Sequence, residues 1–166
     1  IERNFEEVNS TAWESQPTLS SDGRLLVFSR ARNNEEGRGK HQDLFYSKLR
    51  KSGNWSRPSP LPGAVNSAGD EANPFLHSDG KTLYFTSTGH PGLGGQDLFV
   101  SRLGEDSLWG VPENLGYPIN THSEESGLFV EADGVSAFFA SERARSGTGE
   151  SRLGEDIWRF ELPPAA

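Results

Sequence analysis

One strand-turn-strand pattern occurs three times in this chain, and its spacing excludes most folds before composition is considered. Asn9, Asn66 and Asn120 each stand five residues before Glu14, Glu71 and Glu125. Each Glu stands eight residues before an Asp-Gly pair that begins at Asp22, Asp79 or Asp133. A Phe follows each Gly by five residues (Phe28, Phe85, Phe139), and an Asp-apolar-aromatic triplet follows later, beginning at Asp43, Asp97 and Asp156. A recurrence of about fifty-five residues means stacked supersecondary units, each burying its apolar surface against the next.

Within a unit the local chemistry is that of short antiparallel strands. The Asp-Gly pair marks a tight turn, because Gly takes positive φ at no steric cost. The runs after it (Leu25 to Phe28, Leu83 to Phe85, Ala137 to Phe139) are continuously apolar, as in a strand covered on both faces. A polar loop of variable length comes next, then the Asp-led strand, and twelve residues after Asp43 and Asp97 come Trp55 and Trp109. Each unit therefore reads as a propeller blade of three or four antiparallel strands. The expected fold is all-β: about three blades of four-stranded sheet, a partial or oligomer-completed propeller. The whole chain, 1–166, is one propeller segment, with repeats at 9–65, 66–119 and 120–162 and residues 1–8 ending an outer-strand connection. The hexapeptide SRLGED at 101–106 and 151–156 is out of phase with every column, so Asp106 is not the counterpart of Asp156.

Composition narrows the function classes. Only 33% of the 166 residues are hydrophobic, yet 19 Gly and 10 Pro suit many turns, and the phased aromatics argue against disorder. A net charge of −8 with no basic stripe argues against nucleic acid as a partner. No apolar run reaches membrane-spanning length. The absence of Cys removes disulfides and thiolate metal sites, and the absence of Met marks a processed product or a piece of something longer. Three blades are fewer than the four to eight of a usual ring, so the expectation is part of a larger propeller, two copies completing one, or an open arc.

The acids are the first candidates for chemistry. Glu14, Glu71 and Glu125 precede the first strand of each unit and form a collar at one end of the axis, open to a cation or a basic partner segment. The alternative is that each bonds backbone or an Arg such as Arg32 or Arg143, and repetition in every unit favours it. Asp22, Asp79 and Asp133 are read as stabilising their own turns, and Asp43, Asp97 and Asp156 as binding N–H groups of the preceding loop. Trp13, the one aromatic at its repeat position, and His90 complete the candidate binding residues. His41, His77, His90 and His122 match no metal spacing, so no metal or cofactor is expected. The Gly-rich stretch 92–95 lacks the Lys-Ser/Thr of a phosphate cradle.

With Ser-Asp-Gly-Lys-Thr-Leu-Tyr-Phe-Thr-Ser at 78–87, Gly-Gly-Gln-Asp-Leu-Phe at 94–99, and Trp109, Pro112, Asn114, Leu115, Gly116, Pro118, Ile119 and Asn120, the chain resembles the TolB-type, WD-like β-propeller repeat family. The version it is most similar to occurs in bacterial envelope proteins that also carry OmpA-like peptidoglycan-binding domains. The third repeat departs from that pattern, with Val135 in place of Lys and no Gly-Gly doublet at 146–155. The resemblance implies a non-enzymatic scaffold that binds a protein partner, in the periplasm or at the outer membrane. Its variable loops, 30–42, 88–96 and 142–155, would be the display surface. A carbohydrate-binding or hydrolytic propeller, and an architectural segment that self-assembles into a complete ring, are the alternatives.

Overall fold

The computed structural model describes residues 5–32, 41–143 and 154–162. These form three antiparallel sheets, with no helix among the described residues. The first sheet runs β1 (Glu14–Leu19), β2 (Leu25–Arg32), β3 (His41–Lys48), β4 (Ser59–Pro60). The second repeats that order as β5 (Glu71–Leu76), β6 (Thr82–Ser87), β7 (Asp97–Arg102), β8 (Glu113–Asn114). The third holds β9 (Glu125–Val130), β10 (Ser136–Ser141) and β11 (Asp156–Glu161). It has three strands among the described residues where four were expected, leaving β11 at an edge.

The repeat columns become register. Phe28 pairs with Phe45, Phe85 with Phe99 and Phe139 with Trp158. Gly23, Gly80 and Gly134 turn the chain with φ of 69°, 68° and 69°. A feature the columns did not announce lies two residues after each Glu. Gln16, Asn73 and Gly127 have φ of 52°, 49° and 59°, and each sits where its strand slips register by a bulge. The two side chains that tolerate this conformation are tied together. Gln16 Nε2 donates to Asn73 Oδ1 at 2.7 Å, and Asn73 N donates back to Gln16 Oε1 at 3.1 Å.

Apolar side chains leave each sheet on both faces, and the sheets meet face to face. Val27, Leu44, Leu61 and Val65 of the first blade pack on Leu76, Leu83, Phe85, Phe99 and Trp109 of the second. Tyr84, Leu98 and Val100 of the second pack on Leu128, Val130, Ala137 and Phe139 of the third. The first strand of each following blade lies against the preceding sheet: β5 against β1, β2 and β3, and β9 against β5, β6 and β7. This side-by-side stacking of meander sheets is that of consecutive propeller blades. It puts the C-terminal ends of β2, β6 and β10 at one end of the stack, beside Glu14, Glu71 and Glu125.

Candidate functional site

The collar is built by a local rule. Ser10, Ser67 and Thr121 each stand four residues before the Glu and donate their hydroxyls to its carboxylate. The same hydroxyls accept the N–H two residues further on, from Ala12, Gly69 and Ser123. Across the sheet the paired residue adds another partner. Ser87 Oγ donates to Glu71 at 2.8 Å and Ser141 Oγ to Glu125 at 3.0 Å, while the Arg30 guanidinium forms an ion pair with Glu14, Nε to carboxylate 3.0 Å. Glu71 and Glu125 are fully buried; Arg143 stands 3.0 Å from Glu125, whereas Glu71 is held by hydroxyls and an N–H. Arg32 turns elsewhere, to Asp43 at 3.0 Å and to the carbonyl of Gly69. The three carboxylates are thus bonded both to the turn that leads into their own strand and to the residue across the sheet.

The Asn residues that open each repeat have a geometry that sequence reasoning missed. Asn66 Oδ1 accepts from Leu44 N at 2.8 Å while its Nδ2 donates to Leu44 O at 3.0 Å. Asn120 grips Leu98 in the same way, with both contacts at 2.8 Å. Each amide therefore reproduces a strand's two hydrogen bonds beside the third strand of the blade before it. The signal was present in the fixed offset of Asn from Glu, but its partner belongs to the preceding unit and is invisible within one repeat.

The loop 88–96 is the described member of the three variable loops; 33–40 and 144–153 lie outside the described residues. It is exposed at its tip, where Leu93 keeps 53% of its surface, and braced below. His90 Nε2 donates to the carbonyl of Val65 at 2.7 Å, and its ring lies 5.5 Å from that of Phe99 and 6.1 Å from that of Phe85. Asp97, wholly buried, takes the N–H groups of Leu93 and Gly94, and a Cβ at Gly92 would strike its carboxylate. Glu124 Oε2 accepts from Gln96 N at 3.0 Å, tying the loop to the third blade. The result is a preformed projection with an apolar tip.

Among the remaining candidates, Asp43 lies within electrostatic reach of Glu71. Asp43 pairs with Arg32, and burial raises its pKa against the pull of that guanidinium. Asp22, Asp79 and Asp133 accept N–H bonds from their own turns. The Ser20 hydroxyl, with the Arg24 N–H, lowers the pKa of Asp22, and the N–H groups of Val135 and Ser136 lower that of Asp133. For Asp79, burial acts upward but is outweighed by the Lys81 N–H and the Thr82 hydroxyl and N–H, so the net shift is downward. Asp156 stands at the start of β11. Trp13 is 52% exposed at the entry to β1, where its carbonyl accepts from Ala31. Among the described residues no group of three or more His, Asp or Glu gathers as a metal site.

No protein-family model and no curated protein matches the chain. Solved structures do. A putative TolB from Agrobacterium tumefaciens superposes with a TM-score of 0.60 at 15% identity, over 93% of this chain and 47% of that one. TolB from Acinetobacter baumannii gives 0.53 at 16%, over 91% and 32%. The NanB sialidase of Streptococcus pneumoniae gives 0.53 at 16%, over 93% and 24%. The chain spans less than half the length of each. Its fold is that of a TolB-type β-propeller, shared by propellers with and without enzymatic names.

Proposed function

We propose that this chain is a non-catalytic β-propeller scaffold of the bacterial cell envelope, periplasmic or associated with the outer membrane, that displays loops to a protein partner. The observation that carries this is the contrast between the collar and the loop. Glu71 and Glu125 are buried and bonded both to their own turns and to the facing strand, which fits a structural role rather than a substrate contact. The 88–96 loop offers an exposed Leu93 on a braced backbone, the combination of apolar anchor and preorganisation that lowers the cost of protein binding. The TolB-type resemblance of the repeats supports the compartment. No helix of the described residues is long and apolar enough to cross a membrane.

The test is site-specific photo-crosslinking in an envelope extract from position 93, with Leu108, 47% exposed on a different turn, as control. A discrete protein adduct from 93 and none from 108 is expected. A panel of aryl glycosides, esters and aminoacyl arylamides is assayed in parallel. Turnover abolished by Glu71→Gln or Asp97→Asn in a folded protein would overturn the reading.

A further inference from the structure

The two outer faces of the stack are the two halves of the joint that already occurs twice inside it. Every joint sets one kind of face against another. The forward face carries Val27 and Leu44 in the first blade, and Tyr84 and Leu98 in the second. The backward face carries Leu76, Leu83 and Phe85 in the second blade, and Val130, Ala137 and Phe139 in the third. Position by position, the third blade's forward face is Phe138 and Ile157, and the first blade's backward face is Leu19, Leu26 and Phe28. Leu44 and Leu98 are 0% exposed, whereas Ile157 is 80% exposed. Leu76 and Val130 are 4% and 3% exposed, whereas Leu19 is 50% exposed; Leu26 and Phe28, at 9% and 3%, are already packed with Val8, so the open part of this face is the Leu19 side. The backward face of the first blade also holds a largely apolar groove of about 500 Å³, lined in part by Val8, Leu19, Leu26, Phe28 and Trp55.

The polar half of the joint is missing in the same two places. Ile157 pairs with Ala140 as Leu44 pairs with Ser29 and Leu98 with Thr86. Its N–H and C=O therefore point outward from the β11 edge, where Asn66 and Asn120 grip the equivalent groups. Asn9, the remaining member of that column, is exposed, and its side chain has no partner among the described residues. We propose that the occupant of both faces is a second copy of this chain. The β11 face of one copy docks on the β1–β2 face of the other, with Asn9 closing on the Ile157 backbone and Ile157 entering the groove beside Leu19. The contact is heterologous, and two such contacts close a pair of copies into one ring. Each face carries the half of the joint that the other lacks, so the docking of two copies needs no surface that this chain does not already present. This docking does not depend on what the 88–96 loop binds.

Sedimentation equilibrium of the 166-residue chain over a dilution series reads it out. A concentration-dependent species of twice 18.2 kDa is expected. Ile157→Asp and Leu19→Asp, both at exposed positions, are each expected to raise the dissociation constant at least about tenfold, because each buries an unpaired carboxylate. Asn9→Ala, the gentlest change, should weaken association without touching the fold. Mixing the Ile157→Asp and Leu19→Asp proteins should restore association, since one junction of the mixed pair is intact. A chain that stays monomeric throughout, a dimer indifferent to both Asp variants, or a mixture no better than either variant alone would each overturn the proposal.

Discussion

The middle blade and the third blade are made from the same residue columns in the same register, yet only the middle one is enclosed on both faces. Leu98 in β7 and Ile157 in β11 occupy one position in two sheets; one is 0% exposed and the other 80%. Asp97 is buried under a braced loop, and the 88–96 loop stands on it. The difference lies in whether another repeat is stacked on the forward side. A blade is half a structure: its forward face is finished by the next repeat's strand, apolar side chains and Asn. Burial in this architecture is a property of the neighbour as much as of the residue.

The largest way to break the comparison is truncation at the shared position. Leu98→Ala should cost about 2–5 kcal/mol of unfolding free energy, as for other enclosed leucines. Ile157→Ala should stay within about 0.5 kcal/mol in dilute solution, where the third blade's forward face is open. Paired urea denaturation curves decide this, and equal losses would mean that the exposure of Ile157 misstates its environment. Next come the carboxylates. Glu125→Gln should cost about 2–3 kcal/mol, because it leaves Arg143 without its charge partner in a buried site. Glu71→Gln should cost about 1 kcal/mol, since hydroxyls and an N–H hold Glu71 and neutralising it also removes a buried charge. The same denaturation series measures the order, and the reverse order would show that the cation adds nothing.

Asn120→Ala should cost about 2 kcal/mol by orphaning the Leu98 N–H, while Asn9→Ala should leave a dilute sample unchanged. Amide exchange at Leu98, faster in the first variant only, is the direct readout. The smallest effect is in acid. The pKa of Asp79 is lowered in the fold, so its contribution to stability is complete above the unfolded value near 3.8 and fades as pH falls through the folded one. Asp43 has the opposite sign: its pKa is raised, so the fold gains relative stability as pH drops through that raised value toward 3.8. Carboxyl NMR titration should place the Asp43 midpoint above 3.8 and the Asp79 midpoint below it.

The blade itself was legible because its determinants are local. Asp-Gly at a fixed distance from Phe specifies a turn and the strand after it, and the sheets form with Phe85 opposite Phe99. The first-strand bulge was not legible. Gln16 and Asn73 adopt positive φ through hydrogen bonds to each other, 57 positions apart, and Gly127 does so with no side chain at all. Neither Gln nor Gly at that position carries a common signal. The Asn clamp was hidden for the same reason: its acceptor is the backbone of another unit, and backbone has no letter in the sequence. Within the candidate site, the acids stood out by recurrence. Leu93 did not, because an apolar residue at a loop tip has no repeat partner to mark it, and only its exposure and the bracing beneath it distinguish it.

The Asn grip carries an evolutionary consequence. Asn66 and Asn120 fasten each unit to the one before through a single side chain and that neighbour's main chain, whose atoms are the same whatever residue stands there. A gene segment encoding one unit can be copied, lost or inserted and still meet a suitable acceptor. Adjoining units need not coevolve at that contact, so blade number becomes easy to vary while the loops between strands diverge.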